Sequence, residues 1–328
     1  MNDTRRAVLD ALADGPVPGP ELADSLGVSR NAVWKHVEAL RDAGFEITSD
    51  DDGYVLDAPP EYGGPAVEFG LDAPFEVEYY DAIGSTNDRA RELATEGTAD
   101  VAVLADEQTG SRGRLDREWS APSGGVWASV VLRPDLPPAH APALTLAAAV
   151  ATTDAAREAG VPAEIKWPND VLVGNEGERG GRKLAGILTE MEGEADRVSW
   201  VVVGVGVNAN VSTDDLPEGA TSIEAEVGDI DRRAFVQRLL ERFDELRADP
   251  EKAVEAWRER SATLGQRVRV ETGVAQSATD DERGDRESTG ELVGEAVDVA
   301  FPGALVVETD DGERVRVHAG DCEHLRPV

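Results

Sequence analysis

The chain has 328 residues, more than one hydrophobic core usually organises, so two or three domains are expected. It carries 66 acidic and 32 basic residues, yet its hydrophobic content of 41% is enough for folded cores and excludes a largely disordered chain. The acidic residues, which give a net charge of −34, are therefore expected to coat folded domains. Adaptation to high salt explains such a surface, because molar salt screens the repulsion between charges beyond ~3 Å. The alternative is that the acidic surface repels nucleic acid and attracts basic partners.

Thiols and imidazoles are scarce in the sequence. Cys322 is the single cysteine, so an internal disulfide is excluded and the thiol is expected to be a small, buried apolar group. The histidines show no metal-ligand spacing, so no metal site is predicted. The longest apolar stretch, 141–151, is shorter than the ~18 residues that cross a bilayer, and no signal peptide is recognisable. We expect a soluble cytoplasmic protein without membrane contact.

Residues 1–56 are predicted to form three helices and a hairpin, the pattern of a winged helix-turn-helix. Ser29 can cap the third helix, which ends at Gly44, and Asp52-Gly53 marks the hairpin turn. The third helix would present four side chains to the major groove of DNA, namely Arg30, Asn31, Lys35 and His36.

This first domain is itself acidic, with five basic and eleven acidic residues, whereas DNA-binding domains are usually basic. Binding to another protein is therefore an alternative function. DNA is favoured nevertheless, because the affinity that phosphate contacts provide falls as salt rises. Each contact contributes about −0.9 to the slope of log affinity against log salt, so such contacts contribute little in molar salt. Contacts to base edges and to DNA shape must then dominate.

A stretch rich in proline and glycine, 57–74, is predicted to be a linker, and a second domain is expected over 75–262. The second domain opens with a strand, followed by a helix whose N-terminus Ser85, Thr86 or Asn87 can cap. Capping needs only one of these three polar residues, so the others are candidates for ligand binding.

The loop 106–119 contains an Arg-Gly-Arg sequence, Arg112 to Arg114. Arginines suit a bidentate grip on phosphate, and glycine lets the backbone approach an anion closely. An ordinary solvated loop, in which Arg117 pairs with Glu118, is the alternative. A ligand site is favoured because this loop, the polar turn and two lysine segments fall in one domain.

Lysine is rare, with only four in the chain, because arginine has replaced it almost everywhere. A lysine that remains is expected to act as a compact ammonium with three rotatable donors beside a small ligand. Lys166 and Lys183 lie in two such segments, 166–170 and 182–188. Lys252 lies in a polar helix, where a solvated surface charge is expected.

Strands 184–191 and 198–207 are predicted to pair, and the segment 204–209 formally fits the glycine pattern of dinucleotide-binding folds. That function is rejected, because the stretch that follows is rich in Asp and Pro where a phosphate-binding helix should start. The glycines are instead expected to let a ligand ring lie against the strand.

The last domain, 263–328, is predicted to contain four short strands in a small SH3-like barrel. The stretch 272–289 is polar and acidic, and is predicted to be a disordered extension of one hairpin.

These segments resemble the bifunctional biotin protein ligases with a winged helix, which attach biotin to a carrier lysine and repress biotin genes. The resemblance covers the whole chain. It rests on Ser85-Thr86-Asn87, Gln108, Arg112-Gly113-Arg114, Trp119, Lys166 to Asp170, Arg182 to Leu188 and Gly204 to Asn208. It implies an α+β fold: an N-terminal winged helix-turn-helix, a central mixed-sheet ligase domain resembling class II synthetases and a C-terminal SH3-like β-barrel.

The resemblance also implies biotin as substrate, ATP and Mg²⁺ as cofactors, and a role for each matching residue. The implied biotin-binding residues are Ser85, Thr86, Asn87, Gln108, Arg112, Gly113, Arg114 and Lys183. The implied ATP-binding residues are Arg112, Arg114, Trp119 and Asn208. The implied catalytic residues are Lys183, Arg112, Arg114, Lys166 and Asp170. Ser111 and Asp116 stand where the family usually has glycine, so the flexibility and charge of the loop are expected to differ.

The partners implied by the resemblance are a biotin carboxyl carrier protein or domain, operator DNA and a second copy in a homodimer. Two alternatives remain open. One is a biotin-sensing repressor that has lost ligase activity, and the other is a lipoate or octanoyl protein ligase, which shares the catalytic fold.

Overall fold

The computed structural model describes residues 1–114, 117, 119–174, 180–194, 196–277 and 290–325, with the backbone alone over 272–277. The N-terminal segment forms the predicted three helices, α1 (Asp3–Ala13), α2 (Gly19–Leu26) and α3 (Arg30–Asp42). An antiparallel hairpin follows, β1 (Glu46–Asp50) and β2 (Gly53–Ala58). The prediction of three helices and a hairpin is confirmed.

Local chemistry explains where these helices begin and end. The Asn2 side chain accepts a hydrogen bond from the Arg5 amide at 2.9 Å, and Ser29 accepts one from the Ala32 amide at 3.2 Å. Gly27 ends α2 in the left-handed conformation, with φ of 63°, which glycine adopts without steric cost. The helices and hairpin enclose an apolar core of their own, with Val8, Leu9, Leu12, Leu22, Ala23, Val33, Val37, Leu40, Phe45 and Ile47 buried.

The stretch predicted to be a linker contains regular structure, so that prediction is corrected. Residues Gly64–Glu68 form a short helix, α4, in which Val67 is fully buried. Pro65 fits the first turn of a helix, because its missing N–H has no partner there in any case. Gln237 donates to the carbonyl oxygens of Val67 and Phe69 at 2.9 and 2.7 Å. Burial of this apolar stretch anchors the segment on the following domain.

A seven-stranded sheet organises the central region, in the order β3-β4-β5-β9-β8-β7-β6. Only β3 and β4 pair in parallel, and the other pairs are antiparallel, so the sheet is mixed as predicted. The strands are β3 (Glu76–Ile83), β4 (Val101–Gln108), β5 (Val126–Leu132), β6 (Ala163–Lys166), β7 (Asp170–Val173), β8 (Arg182–Gly193) and β9 (Val198–Val207).

Helices cover this sheet and complete its core. They are α5 (Thr86–Thr95), α6 (Pro142–Glu158), α7 (Ile223–Val227), α8 (Arg232–Arg247) and α9 (Pro250–Glu259). Alanine-rich α6 is buried along most of its length, and its small side chains let α8 and α9 pack closely against it. Within the described part of the chain, no helix combines the length and apolar character needed to cross a membrane.

The C-terminal strands close into a four-stranded barrel: β10 (Arg267–Ser277), β11 (Gly290–Ala300), β12 (Ala304–Glu308) and β13 (Arg314–His324). Residues 272–277 belong to β10 and pair with β13, so the predicted disordered extension does not begin at 272. The remainder of that extension, 278–289, lies outside the described residues. Buried Val268 and Val299 join the same apolar core as the central sheet, so the barrel packs directly against it.

Candidate active site

A cavity of about 590 Å³ opens between the central sheet, the arginine loop and the barrel, a size typical of small-molecule sites. Every residue predicted to bind biotin or ATP, or to act in catalysis, lines it. These residues are Ser85, Thr86, Asn87, Gln108, Arg112, Gly113, Arg114, Trp119, Lys166, Asp170, Lys183 and Asn208. The tertiary structure thus brings together segments that are far apart in sequence.

The polar turn at the start of α5 forms one end of the cavity. Ser85 caps the helix by accepting from the Asp88 amide at 3.3 Å. The Gln108 Oε1 atom accepts from the Thr86 amide at 2.7 Å and lies 3.0 Å from the Thr86 hydroxyl. Ser85 therefore does the capping, and Thr86 and Gln108 are fixed relative to each other.

Asn87 is buried, and its side chain is held from both ends. The Ser129 hydroxyl lies 2.6 Å from Asn87 Oδ1, an oxygen that can only accept, and 2.7 Å from the Thr86 hydroxyl. Asn87 Nδ2 donates to Glu190 at 2.8 Å. Next to it, a Cβ atom on Gly204 would lie 2.2 Å from Asn87 Oδ1, so only glycine fits there.

The arginine loop is paired on both sides of the cavity mouth. Arg112 donates to Asp88 at 2.8 Å. Arg114 donates to the Asn169 side chain at 3.0 Å and to the Gly320 carbonyl oxygen, in the barrel, also at 3.0 Å. Both arginines line the same cavity, and a guanidinium group can bind a phosphate through two parallel hydrogen bonds.

Arg117 also lines the cavity, where it is largely exposed and pairs with Asp321 of the barrel. The alternative partner considered from the sequence, Glu118, lies outside the described residues, as do Leu115 and Asp116.

Lys183 lies at the centre of the cavity wall. Its ammonium is 2.6 Å from the Asp170 carboxylate, and 5.0 Å from the centre of the Trp119 ring. The side chains of Lys183 and Asp170 are 18% and 22% exposed, so the pair is shielded but can be reached by a ligand. A cation held by one carboxylate and one ring face can exchange these partners for an anionic substrate.

Lys166 is buried where the sheet meets the barrel, with 7% of its surface exposed. Burial, and secondly the charge of Lys166, lower the pKa of His324 to about 4. The His324 ring accepts or donates a hydrogen bond with Thr263, at 3.1 Å. Burial also raises the pKa of the Cys322 thiol to about 12, and this cysteine is buried as predicted. The charge of Lys166 therefore influences residues of the barrel next to the cavity.

Glycines of β8 and β9 leave room for an aromatic ring, and that ring is the indole of Trp119. Cβ atoms on Gly186 and Gly206 would lie 3.1 and 3.2 Å from the Trp119 indole. Asn208 follows β9 and donates to the Thr221 carbonyl oxygen at 2.9 Å. The glycines were expected to let a ligand ring lie against the strand; the ring that contacts them is that of Trp119, so a ligand ring there stays a prediction.

Sequence reasoning missed several residues of the site. Ser129 could have been found, because it is the single hydroxyl in the otherwise apolar and wholly buried strand β5. Glu190 gave no local signal. Nor did the barrel residues that line the cavity, Arg269, Glu271, Asp321, Cys322 and Glu323, because only the packing of two domains brings them there.

The predicted DNA-binding side chains fall on the outer side of α3. Arg30, Asn31 and Lys35 are exposed and His36 is half-buried, while Val33 and Val37 are buried on the inner side. The helix therefore presents the predicted residues to solvent.

Family models match three parts of the chain. Residues 80–208 match the Biotin/lipoate A/B protein ligase family, 4–55 match an HTH domain, and 286–325 match the Biotin protein ligase C terminal domain. The matches follow the three structural regions described above.

Similar proteins extend this result over nearly the full length. The bifunctional ligase/repressor BirA of Bacillus subtilis (strain 168) is 35% identical over 327 residues, covering 94% of this chain and 93% of that protein. The bifunctional ligase/repressor BirA of Escherichia coli (strain K12) is 30% identical over 236 residues, covering 70% and 71%.

Among solved structures, the biotin protein ligase from Aquifex aeolicus in complex with biotin and ATP shares the fold, with a TM-score of 0.59 and 23% identity. That match covers 76% of this chain and 99% of the other. The near full-length relative carries the stronger conclusion, because its identity and coverage are both high. The chain belongs to the biotin protein ligase family, among the members in which a helix-turn-helix domain precedes the ligase domain.

Proposed function

We propose that the chain is an ATP-dependent ligase that forms biotinyl-5′-AMP and transfers biotin to a lysine of a biotin carboxyl carrier protein. One observation carries the proposal: cations from three separate segments, Lys183, Arg112 with Arg114, and Lys166, line a single cavity beside a hydrogen-bonding pocket. The reaction joins a carboxylate to a nucleotide, so it needs both features in one place.

The hydrogen-bonding end of the cavity suits the neutral ureido head of biotin, which needs donors and acceptors in fixed positions. Thr86, Asn87 and Gln108 supply such groups, and their mutual hydrogen bonds hold them before the ligand arrives. Preorganised polar groups bind without a further ordering cost. We therefore assign this end to biotin.

In the first step, a biotin carboxylate oxygen attacks the α-phosphorus of ATP. The new bond is C(O)–O–P, the bond from the α-phosphorus to the bridging oxygen breaks, and pyrophosphate leaves. We assign Lys183 and Arg114, which both line the cavity, to stabilising the negative charge that grows on the phosphoryl oxygens. Well-placed donors of this kind contribute about 3 to 4 kcal/mol each to transition-state stabilisation.

In the second step, the amine of the carrier lysine attacks the anhydride carbonyl. An amide bond forms, the carbonyl carbon separates from the phosphate oxygen, AMP leaves and the amine loses a proton. Asp170 lies beside Lys183 at the cavity wall, so we assign Asp170 and Lys166 to positioning the phosphate or the incoming amine. Trp119 and Asn208 are assigned to the adenine, on the wall formed by β8 and β9.

Magnesium fits this site as a companion of the phosphates. In the part of the chain that the structure describes, no cluster of three metal-ligating side chains occurs. Mg²⁺ commonly needs only one or two carboxylates, because substrate phosphates and water fill its other positions. The carboxylates that line the cavity are Asp170, Glu218, Glu271, Asp321 and Glu323, and one or two of them would hold the ion. The ion would neutralise phosphate charge.

Biotin-dependent exchange of labelled pyrophosphate into ATP tests the proposed ligase directly. Exchange that needs both biotin and ATP is expected, followed by biotin transfer to a carrier domain at high potassium chloride. A biotin-sensing repressor without ligase activity would bind biotin but show no exchange. A lipoate or octanoyl ligase would instead be competed by those acids, at concentrations at which biotin has no effect.

We further propose that the N-terminal domain binds operator DNA in response to biotin, and that the ligase pairs as a homodimer. The helix-turn-helix match and the exposed side chains of α3 support DNA binding. We assign domains to 1–56, 75–262 and 263–328; the stretch 57–74 joins the first two and packs on the second through α4. We assign the central sheet to the class II synthetase type and the barrel to the SH3-like type.

The acidic surface is proposed to be an adaptation to a salt-rich cytoplasm. A net charge of −34 repels itself strongly in dilute buffer, whereas molar salt screens it. Many of the arginines are paired with carboxylates at the surface, as Arg267 is with Asp310 at 2.8 Å. Fixed pairs of this kind keep part of the surface ordered while the remaining acids stay hydrated.

A further inference from the structure

The third helix of the N-terminal domain carries a large apolar side chain in solvent. Trp34 is 50% exposed, more than the other large hydrophobic side chains of the described residues. It follows Arg30 by four positions and Asn31 by three, so it lies on the same helix face as these two residues. Val33 and Val37 are buried, so Trp34 lies beside the buried face of α3, and half of its surface remains exposed to solvent.

We propose that Trp34 is the principal base-contacting residue of this domain, and that it packs against thymine methyl groups in the major groove of duplex DNA. The inference rests on the proposed repressor function and adds the residue and the kind of contact. A thymine methyl is the one apolar group that a base pair presents in the major groove. An indole beside Arg30 and Asn31 is placed to meet it.

The charges around the helix support an apolar contact over a phosphate contact. The hairpin turn holds three consecutive acids, Asp50 to Asp52, and Asp50 accepts hydrogen bonds from the Asp52 and Gly53 amides at 2.9 and 3.1 Å. A hairpin tip fixed in this way presents negative charge to any nearby phosphate. The tip therefore cannot attract DNA phosphates as a basic hairpin would.

The basic residues of α3 cannot fully replace that attraction to phosphate. Arg41 is already bound to Glu38 at 2.6 Å and to the Ile47 carbonyl oxygen at 2.8 Å. Arg30 and Lys35 are the exposed cations on this helix. Two such contacts predict a slope of only about −2 in log affinity against log salt, so another source of affinity is needed.

Apolar contact provides affinity that salt does not screen. An indole can bury up to about 200 Å² in all, and half of this remains available on Trp34. At the usual gain per unit of buried apolar area, its burial changes affinity by about tenfold to a hundredfold. This contribution persists in molar salt, where phosphate contacts weaken.

The test uses the full chain with biotin and ATP, and a pool of random-sequence duplex DNA as the probe. Sites are selected at molar potassium chloride, and the affinity for the selected duplex is then measured over a range of salt. Four proteins are compared: wild type, Trp34→Ala, Trp34→Phe and Lys35→Ala. Met191→Ala is the matched control, because Met191 is 48% exposed but lies on β8, in another domain.

Trp34→Ala is expected to lower affinity about tenfold or more at every salt concentration, and to remove an A·T preference from the selected motif. Its line of log affinity against log salt should be displaced but parallel to that of wild type. Lys35→Ala should instead make the line shallower by about 0.9. Trp34→Phe should retain most of the affinity, and thermal melting should show that all variants are folded.

Two results would overturn the inference while DNA binding itself stands: an unchanged motif and affinity in Trp34→Ala, or a change in salt slope equal to that of Lys35→Ala. A change in sedimentation of Trp34→Ala without DNA would also overturn it, since the indole would then belong to an interface between copies. If wild type selects no motif, the proposed repressor function fails, and the inference fails with it.

Discussion

At the scale of single residues, the site is built from charges that hold each other in place before any ligand binds. Lys183 faces Asp170 at 2.6 Å, and Arg112 faces Asp88 at 2.8 Å. A partly shielded ion pair keeps each side chain ordered, and an incoming anion can take over the cation at little reorganisation cost. Loss of the cation should therefore affect chemistry more than folding.

Lys183→Ala is expected to reduce biotin-dependent pyrophosphate exchange by about a hundredfold to a thousandfold, because one preorganised cation is lost from the transition state. Arg114→Ala should have an effect of the same order. Lys252→Ala is the matched control, since it removes an exposed lysine from the polar helix α9. Full exchange activity in either site variant would remove the assignment of these residues.

Ser129→Ala is expected to raise the KM for biotin about tenfold or more, with a smaller change in kcat. The substitution leaves the buried Asn87 oxygen without its donor, and such a loss typically costs about 1–3 kcal/mol. Steady-state kinetics at saturating ATP measure the effect. Ser199→Ala removes an exposed hydroxyl from β9 and should leave KM unchanged; an equal effect of both variants would contradict the assigned role.

At the scale of elements, neighbouring strands use glycine to admit side chains from elsewhere. Gly204, Gly206 and Gly186 leave room for Asn87 and Trp119, which arrive from α5 and from the arginine loop. The barrel contributes the opposite wall and holds Arg114 through the Gly320 carbonyl oxygen. The cavity is therefore a product of three packed elements.

Gly204→Ala is expected to weaken biotin binding about tenfold or more. The new methyl would meet Asn87 Oδ1 at 2.2 Å, and this amide cannot move away while it is bound to Ser129 and Glu190. Calorimetric titration with biotin measures the loss. Gly84→Ala is the control, because a methyl there meets nothing within 4 Å. Unaltered binding in the Gly204 variant would contradict the fit described.

The contact between barrel and sheet should be sensitive to acid through His324. Burial lowers the pKa of this histidine from 6.5 to about 4, so the folded state disfavours the charged ring. Its contribution to stability is complete above pH 6.5 and is lost as the pH falls towards 4. For this partly buried group the loss is about 2 kcal/mol.

Denaturant unfolding of wild type and His324→Gln between pH 7 and pH 4 tests this pH dependence. The difference in the free energy of unfolding between the two proteins should shrink as the pH falls, since glutamine cannot gain the proton. A difference that stays constant over this range would exclude His324 as the sensitive group.

At the scale of the whole molecule, an acidic surface surrounds a site that needs cations. The net charge of −34 would repel ATP at long range in dilute buffer, but at molar salt the potential decays within ~3 Å of the surface. Local cations then decide binding, because they act at contact distance inside a partly closed cavity.

The unfolding temperature is expected to rise as potassium chloride approaches molar concentration, because screening relieves repulsion among the surface acids. Thermal unfolding followed by circular dichroism measures this dependence. Sucrose is the control, since it is excluded from the protein surface but does not screen charge. An equal rise in sucrose, or a fall in potassium chloride, would contradict salt adaptation.

Local sequence determined a large part of the molecule. Periodicity and capping residues such as Ser29 and Ser85 predicted the helices, because a cap acts through hydrogen bonds three residues away. The rarity of lysine drew attention to Lys166 and Lys183, and the Arg-Gly-Arg sequence to the loop. Ser85, both of these lysines and the Arg-Gly-Arg residues line the same cavity.

Only tertiary structure decided how the site is enclosed. The buried helix α4 lies within a stretch whose composition indicated a linker, since its burial depends on Gln237 and other distant residues. Ser129 and Glu190 become partners of Asn87 through strand pairing, and Asp321 reaches the cavity because the barrel packs on the sheet. Contacts between residues far apart in the chain leave no local pattern, so the sequence alone identified the chemical groups and the fold placed them.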